Sequence, residues 1–252
     1  MKLLQLTMTG ALIALILSVS ACQLKENNTL DEKTIDDDMA LMVSDSLARS
    51  DGEDAQTMDD AVDEAVLNTG INGKKKRTLH GSNFQGSLDF DYTYTYSDCD
   101  DDICDTLNLV GIIEGSFTSE RRNRTVYRVR NLLLTGISGD KVTINGTGSG
   151  DVSGDFSGKF YNYTRTYKIS RQLTFTNIVI AKDREANPYP LSGTLSITAS
   201  GERTVDSDKV EKNVSFTRDI LVTFNGTETP TVTMNGERNY TINLTNGEVT
   251  TE

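Results

Sequence analysis

The stretch YKISRQLTF, residues 167–175, alternates along its whole length between side chains that avoid water and side chains that favour it. One face holds Tyr167, Ile169, Arg171, Leu173 and Phe175. A period of two is typical of a half-buried β-strand, because successive side chains point to opposite faces of a sheet. The arginine on the apolar face is the anomaly, since a buried guanidinium group requires a partner.

The same pattern recurs from about residue 82 to the end of the chain. Arg130 and Arg218 lie 41 residues before and 47 residues after Arg171, and each is followed by two apolar residues on its own face. A turn and a return strand follow each of these strands, so the repeating unit is a β-hairpin. Four such hairpins predict a mainly β domain, an antiparallel up-and-down meander of about eight long strands that forms a barrel or barrel-like sandwich.

The chain begins with a secretory signal, in which Lys2 precedes a short apolar run from Ala11 to Leu17. This run is too short to cross a bilayer as a helix. The signal ends in Val19-Ser20-Ala21-Cys22, which resembles the lipobox of bacterial lipoproteins. The resemblance covers the first 22 residues only, and no family is recognised in the β domain.

The lipobox resemblance implies how the chain is processed and where it resides. It implies that residues 1–21 are cleaved and that Cys22 becomes a mature N-terminus carrying acyl chains such as palmitate. Two or more acyl chains anchor a protein stably without a spanning helix. We therefore expect a protein anchored in the bacterial cell envelope, on the outer membrane, with the membrane as one partner and an envelope protein as a candidate second partner.

The net charge of −12 is concentrated near the N-terminus. Residues 23–72 hold 14 acidic and three basic residues, a net charge of −11, and contain two segments with apolar residues at helical spacing. Residues 22–78 are therefore predicted to form a lipid-anchored acidic stalk with one or two short helices, and residues 79–252 the β domain. The basic run Lys74–Arg77 is interpreted as a solvated junction, so no nucleic-acid partner is expected.

Two cysteines remain after Cys22 is assigned to lipid, and an exported compartment favours a disulfide between Cys99 and Cys104. Around them, Asp98, Asp100 and Asp102 have the D-x-D-x-D spacing of a calcium loop. The match then fails, because Ile103 and Leu109 occupy the glycine and glutamate positions of such a loop. An acidic hairpin tip is the favoured interpretation, and calcium is the alternative.

Seven arginines share the phase of the apolar face: Arg128, Arg130, Arg165, Arg171, Arg203, Arg218 and Arg238. Most strand carboxylates fall on the opposite face. One hypothesis is that a cavity binds an anionic or amphipathic ligand through Arg130, Arg171, Arg218, Arg203, Arg238, Tyr92 and Tyr94, because a guanidinium fork suits carboxylate and phosphate. The alternative is structural, with the arginines stacked on aromatic rings, bonded to carbonyls, or paired with acids brought inward by a bulge.

Catalytic motifs are scarce in the sequence, and SGDK at residues 138–141 matches S-x-x-K but lies in a hairpin turn instead of opening a helix. Its one histidine, His80, has no evident partner, and neither G-x-S-x-G nor H-E-x-x-H occurs. We therefore expect a non-enzymatic envelope protein without a cofactor. As a binding module it requires a cavity lined by unpaired arginines, whereas as a structural or adhesive surface lipoprotein it requires a filled core and paired arginines.

Overall fold

The computed structural model of the chain describes residues 32–48, 52–68, 70–80, 85–100, 103–119, 122–157, 163–207 and 210–251. The chain divides into two compact units, Met1–Met42 and Val43–Glu252. The predicted signal segment, Cys22 and Asp102 lie outside the described residues. The whole sheet belongs to the second unit, and so does the site described below.

Two α-helices precede the sheet, as the apolar spacing predicts. α1 covers residues 32–47, and α2 covers Glu53–Leu67. The apolar residues of α2 that are buried are Ala55, Met58, Ala61, Val62 and Ala65, whereas Val66 in its last turn is exposed. Glu53 and Asp54 stand in the first turn, where the positive end of the helix dipole stabilises negative charge.

Eleven β-strands follow within the described residues, three more than the eight that the hairpin repeat predicts. They are β1 (Gly73–His80), β2 (Gln85–Asp100), β3 (Ile103–Ser119), β4 (Arg122–Thr135), β5 (Lys141–Ser157), β6 (Tyr163–Ala181), β7 (Ser192–Ser207), β8 (Val210–Phe224), β9 (Thr231–Met234), β10 (Arg238–Ile242) and β11 (Val249–Thr251). The additional strands are the short ones at the two ends of the sheet, whose sequences carry little apolar alternation.

The strands form one antiparallel sheet in which each pairs with its neighbours in sequence. The predicted mainly β meander is therefore confirmed. The sheet is not closed, because β1 and β11 are its two edges within the described residues and do not pair with each other. Closure is one way to hide an apolar face, but here α2 packs against that face and contacts residues of β2, β4 and β6.

The start of the sheet lies earlier in the chain than the predicted domain boundary. β1 begins at Gly73, so the boundary between residues 78 and 79 falls inside this strand. β1 pairs along its whole length with β2, from Gly73 opposite Tyr94 to His80 opposite Ser87. Lys74 and Lys76 point outward from this edge strand, and lysine on an edge discourages pairing with another chain.

The inner face of the sheet carries the alternating apolar side chains, among them Leu88, Phe90, Leu109, Leu132, Ile197 and Val222, all of which are buried. α2 lies against this face. The hydroxyl of Tyr96 donates to the backbone oxygen of Glu64 at 2.8 Å, and the hydroxyls of Tyr92 and Thr57 are 3.3 Å apart. The outer face of the same strands presents mainly Thr, Ser and charged side chains to solvent.

The predicted disulfide between Cys99 and Cys104 is confirmed. The two residues are directly opposite each other near the end of the β2–β3 hairpin. Cross-linking a loop this short should stabilise the fold by about 2 kcal/mol on the chain-entropy model. At the same end of the sheet, Asn68 at the C-terminus of α2 donates to the Cys104 carbonyl oxygen at 2.9 Å and accepts from the Cys104 amide at 3.3 Å.

Candidate functional site: a buried arginine cluster

Four arginines on the inner face form a cluster, and the name arginine cluster is used below for Arg124, Arg128, Arg130 and Arg171. The first three lie on one face of β4, with Val126 between Arg124 and Arg128, and Arg171 lies on β6. The period of two places all of them on the inner face. Their side chains are at most 4% exposed.

The strand register decides which arginines are neighbours. Arg128 pairs with Gly150 of β5, and Gly150 pairs with Arg171 of β6. The row continues through Ala199 to Arg218 on β8. Arginines thus alternate with small residues across the sheet, and it is Arg128, not the sequence-aligned Arg130, that shares a row with Arg171 and Arg218.

Glycines on β5 make room for the long side chains of the cluster. A Cβ atom at position 148 would lie 2.8 Å from Nη1 of Arg130, and one at position 150 would lie 2.9 Å from Cδ of Arg128. The two arginines therefore extend across β5, where Nη1 of Arg128 donates to the Asp151 carbonyl at 2.7 Å. Gly148 is thus a packing requirement of Arg130, whereas at Gly150 an added Cβ would first meet the backbone oxygen of Tyr127.

We predict that Gly148→Ala destabilises the protein by about 1–3 kcal/mol, the usual cost of overpacking a filled interior. The added methyl group meets Arg130 at Nη1 and Cδ and displaces it from its hydrogen bonds. Gly139→Ala is the matched control, because its Cβ would meet nothing closer than 3.6 Å and should change stability by less than about 0.5 kcal/mol. Urea unfolding measures both, and equal stabilities would refute the packing role.

The carboxylates that pair with the cluster come from the first two residues of α2. Glu53 accepts from Nη2 of three arginines: Arg124 at 3.0 Å, Arg128 at 3.1 Å and Arg171 at 3.3 Å. Asp54 accepts from Nε and Nη2 of Arg130. Both carboxylates are fully buried. The start of α2 is therefore fixed to the sheet by buried ion pairs.

Glu53 is held in its ionised form. Burial favours the neutral acid and acts to raise the pKa, but the charges of Arg124, Arg128 and Arg171 outweigh it, and the pKa of Glu53 lies well below its ordinary value of 4.5. Burial also lowers the pKa of Arg128 to about 9, assisted by the positive charge of Arg171. Glu53 and Arg128 are both charged at neutral pH, as a stable ion pair requires.

A second set of polar contacts fixes the middle of α2. Asp60 pairs with Arg77 at 2.8 Å and with Lys75 at 3.5 Å, both on β1. Burial raises the pKa of Asp60 in spite of these two cations. Burial likewise raises the pKa of Tyr92, whose hydroxyl meets Thr57. Lys75 and Arg77, which were interpreted as part of a solvated junction, thus form ion pairs that hold α2 on the sheet.

The structure brings together only part of the predicted ligand site. Arg130 and Arg171 contact α2, Arg203 and Arg218 are buried on the same face, and Arg238 on β10 is half-buried. Nη1 of Arg218 donates to the carbonyl of Thr217 at 2.9 Å. Tyr92 is buried against α2, and Tyr94 is half-buried beside Tyr96 with its ring edge-on.

The sequence analysis missed Arg124, Glu53 and Asp54. Arg124 has the same phase as Arg128, so the alternation of β4 was a sufficient signal for it. The two acids were assigned to a stalk, because nothing local relates them to strands 71 to 118 residues away. Two features of the sequence could have indicated this pairing: the excess of arginine on the apolar face of the strands, and the two acids at the start of a predicted helix.

The other candidate features lie elsewhere. Asp98 accepts from Thr106 at 2.7 Å near the end of β2, and no group of three or more potential metal ligands occurs within the described ranges. Neither described helix combines the length and apolarity needed to cross a membrane. His80 is exposed on β1. The arginine cluster is therefore the candidate site that the described residues support best.

Comparison with protein-family models, curated proteins and solved structures gives no match to this chain.

Proposed function

We propose that this chain is a non-enzymatic, lipid-anchored protein of the bacterial cell envelope, on the outer membrane, whose sheet serves as a structural scaffold. The observation that supports this function is the occupation of the arginine cluster by Glu53 and Asp54. A binding module of the expected kind requires arginines that face a cavity. Here the chain supplies its own carboxylates where the anionic groups of a ligand would bind.

Arg130 illustrates the difference between the two functions. Its Nε and Nη2 donate to Asp54, and its Nη1 donates to the carbonyl oxygens of Val129 and Ser149. All three nitrogens thus have acceptors within the chain, and the side chain is fully buried. An organic anion would have to displace Asp54 to reach this guanidinium group. These contacts favour a filled interior over a ligand cavity.

The outer face of the sheet is the surface that this scaffold offers to an envelope partner. It holds open grooves, one of which is lined by Tyr127, Asp151 and Glu202. Tyr127 is also close to a second groove, which is lined by Ile112 and Glu114. Ile112 and Tyr127 are exposed and line the same groove, and contiguous apolar residues rimmed by polar groups mark interaction surfaces. Anchoring through Cys22 would keep the chain at the membrane, where an envelope partner is within reach.

Lipid anchoring is tested by labelling cells that express the full-length chain with a radioactive fatty acid. We expect the wild type to carry label and to fractionate with membranes, and Cys22→Ser to lose both properties. The control is the double variant Cys99→Ser/Cys104→Ser, which removes the disulfide cysteines and should keep the label. Label on Cys22→Ser would refute the assignment of the anchor.

The filled interior is tested by native mass spectrometry of the same chain, purified in mild detergent. The expected mass is that of the processed, acylated chain without a further organic molecule, and Arg130→Met should differ from it only by the substitution. An additional organic mass on the wild type that is missing from Arg130→Met would instead support the binding module and reveal the class of its ligand.

A further inference from the structure

The charges of the arginine cluster do not balance. Four guanidinium groups meet two carboxylates, and all ion pairs of these arginines within the described part of the chain are with Glu53 and Asp54. All six side chains are buried. Buried charge is costly unless it is neutralised and hydrogen-bonded. The cluster therefore retains an excess of two positive charges in a region that water does not reach.

Hydrogen-bond donors of the cluster also lack acceptors. Within the described residues, Nε and Nη1 of Arg124 and Nε of Arg171 are buried without a hydrogen-bond partner, and so is Nε of Arg128. Arg130 has acceptors for all its nitrogens. A buried donor without an acceptor costs about 1–3 kcal/mol, and more when it is charged. Arg124 has more such nitrogens than any other member of the cluster, so the missing acceptor belongs beside it, where Arg124 and Arg171 both contact Glu53.

The surroundings of Arg124 favour an anion over a neutral molecule. Its guanidinium carbon lies 4.2 Å from the ring centre of Phe117, so the aromatic ring covers one side of the group. Glu53, which contacts it, begins α2, and the N-cap residue Gly52 provides no side-chain hydrogen bond. The positive end of the α2 dipole lies beside the cluster, and Glu53 and Asp54 are the anionic groups of the chain that meet it there.

We propose that a small inorganic anion of the chloride type binds between Arg124 and Arg171, beside Glu53, and completes the arginine cluster. The anion accepts from the free nitrogens of these two side chains while Glu53 keeps its own contacts. It is a structural ion that holds the start of α2 on the sheet. This inference does not depend on the proposed function, because it concerns only the interior of the second compact unit.

The test is thermal unfolding of the full-length chain, purified as the cell processes it, at constant ionic strength while potassium gluconate is replaced by potassium chloride. Gluconate is too large for a buried site, so it serves as the inert anion. An ion that binds only the folded state raises Tm in a saturable way, and we expect a rise of about 3–6 °C. Arg124→Met should abolish the rise, and Arg77→Met, which removes an arginine from β1, should retain it.

A second measurement locates the ion even if a variant folds poorly. Crystals of the wild type soaked in bromide should show an anomalous peak within hydrogen-bonding distance of Nη1 of Arg124. The proposal is overturned if Tm is the same in gluconate and chloride and no bromide peak lies beside Arg124. It is also overturned if Arg124→Met responds to chloride as the wild type does, since the effect would then arise elsewhere.

Discussion

Replacing Glu53 by glutamine is expected to lower the free energy of unfolding by about 3–5 kcal/mol, the usual cost of removing one partner from a buried ion pair. Glutamine keeps the size of the side chain and removes its charge. Arg124, Arg128 and Arg171 then lose the carboxylate that all three contact within 3.3 Å. Urea denaturation of the full chain, followed by circular dichroism, measures the change.

Asp63→Asn provides the matched control for this variant. It exchanges an acid for an amide in the same helix, but at an exposed position. Substitutions at exposed positions of this kind usually change stability by less than about 0.5 kcal/mol. A second comparison uses Glu53→Gln combined with Arg171→Met, which should be less destabilising than the sum of the two single variants, because they share one interaction. Equal stability of Glu53→Gln and Asp63→Asn would contradict the role of the cluster.

The pH dependence of stability provides an independent signature of Glu53. Its pKa is depressed in the folded protein, so the unfolded chain takes up a proton first as the pH falls below about 4.5. The contribution of Glu53 is therefore complete above this pH and is progressively lost below it. Wild type and Glu53→Gln should differ most near neutral pH, and their stabilities should converge as the pH falls towards the pKa of the folded state.

The strands and their buried face could be predicted because that information is local. In β6, apolar and polar residues alternate in the sequence. This alternation places Tyr167, Ile169 and Leu173 on one face, and all three are buried. The arginine phase follows from the same rule, and Arg128, Arg130 and Arg171 are buried as that phase requires. Strand alternation thus determines which residues enter the interior, but it says nothing of what they meet there.

Register and long-range partners are beyond the reach of this local rule. The strand register pairs Arg128 with Gly150, and a register shift between Ile144 and Gly146 in the β5–β6 pairing precedes the pairing of Gly150 with Arg171. Glu53 belongs to a segment with a helical pattern of its own, and only the folded sheet brings its carboxylate to β4. The acidic segment was therefore interpreted as a stalk. In the structure, α2 from this segment packs against the inner face of the sheet, which barrel closure was expected to bury.

A fragment of residues 73–252 is expected not to fold cooperatively, although it contains every described strand. Without α2 the inner face loses its cover, and the arginine cluster loses both of its carboxylates. The hydroxyls of Tyr92 and Tyr96 lose their partners on the helix as well. The fragment should bind a dye specific for exposed apolar surface and show no sharp urea transition, whereas the full chain should show one.

A peptide of residues 43–72 added to this fragment should restore the cooperative transition, because it supplies α2 with both carboxylates. The same peptide carrying Glu53→Gln and Asp54→Asn should bind at least about 100-fold more weakly, since a loss of about 3 kcal/mol corresponds to that factor. A peptide with Asp63→Asn should bind as the wild type does. If the fragment alone unfolds as sharply as the full chain, the sheet is self-sufficient and the buried ion pairs are not what holds the fold together. If the peptide restores the cooperative transition only when it carries Glu53 and Asp54, the acidic segment is an essential part of the core.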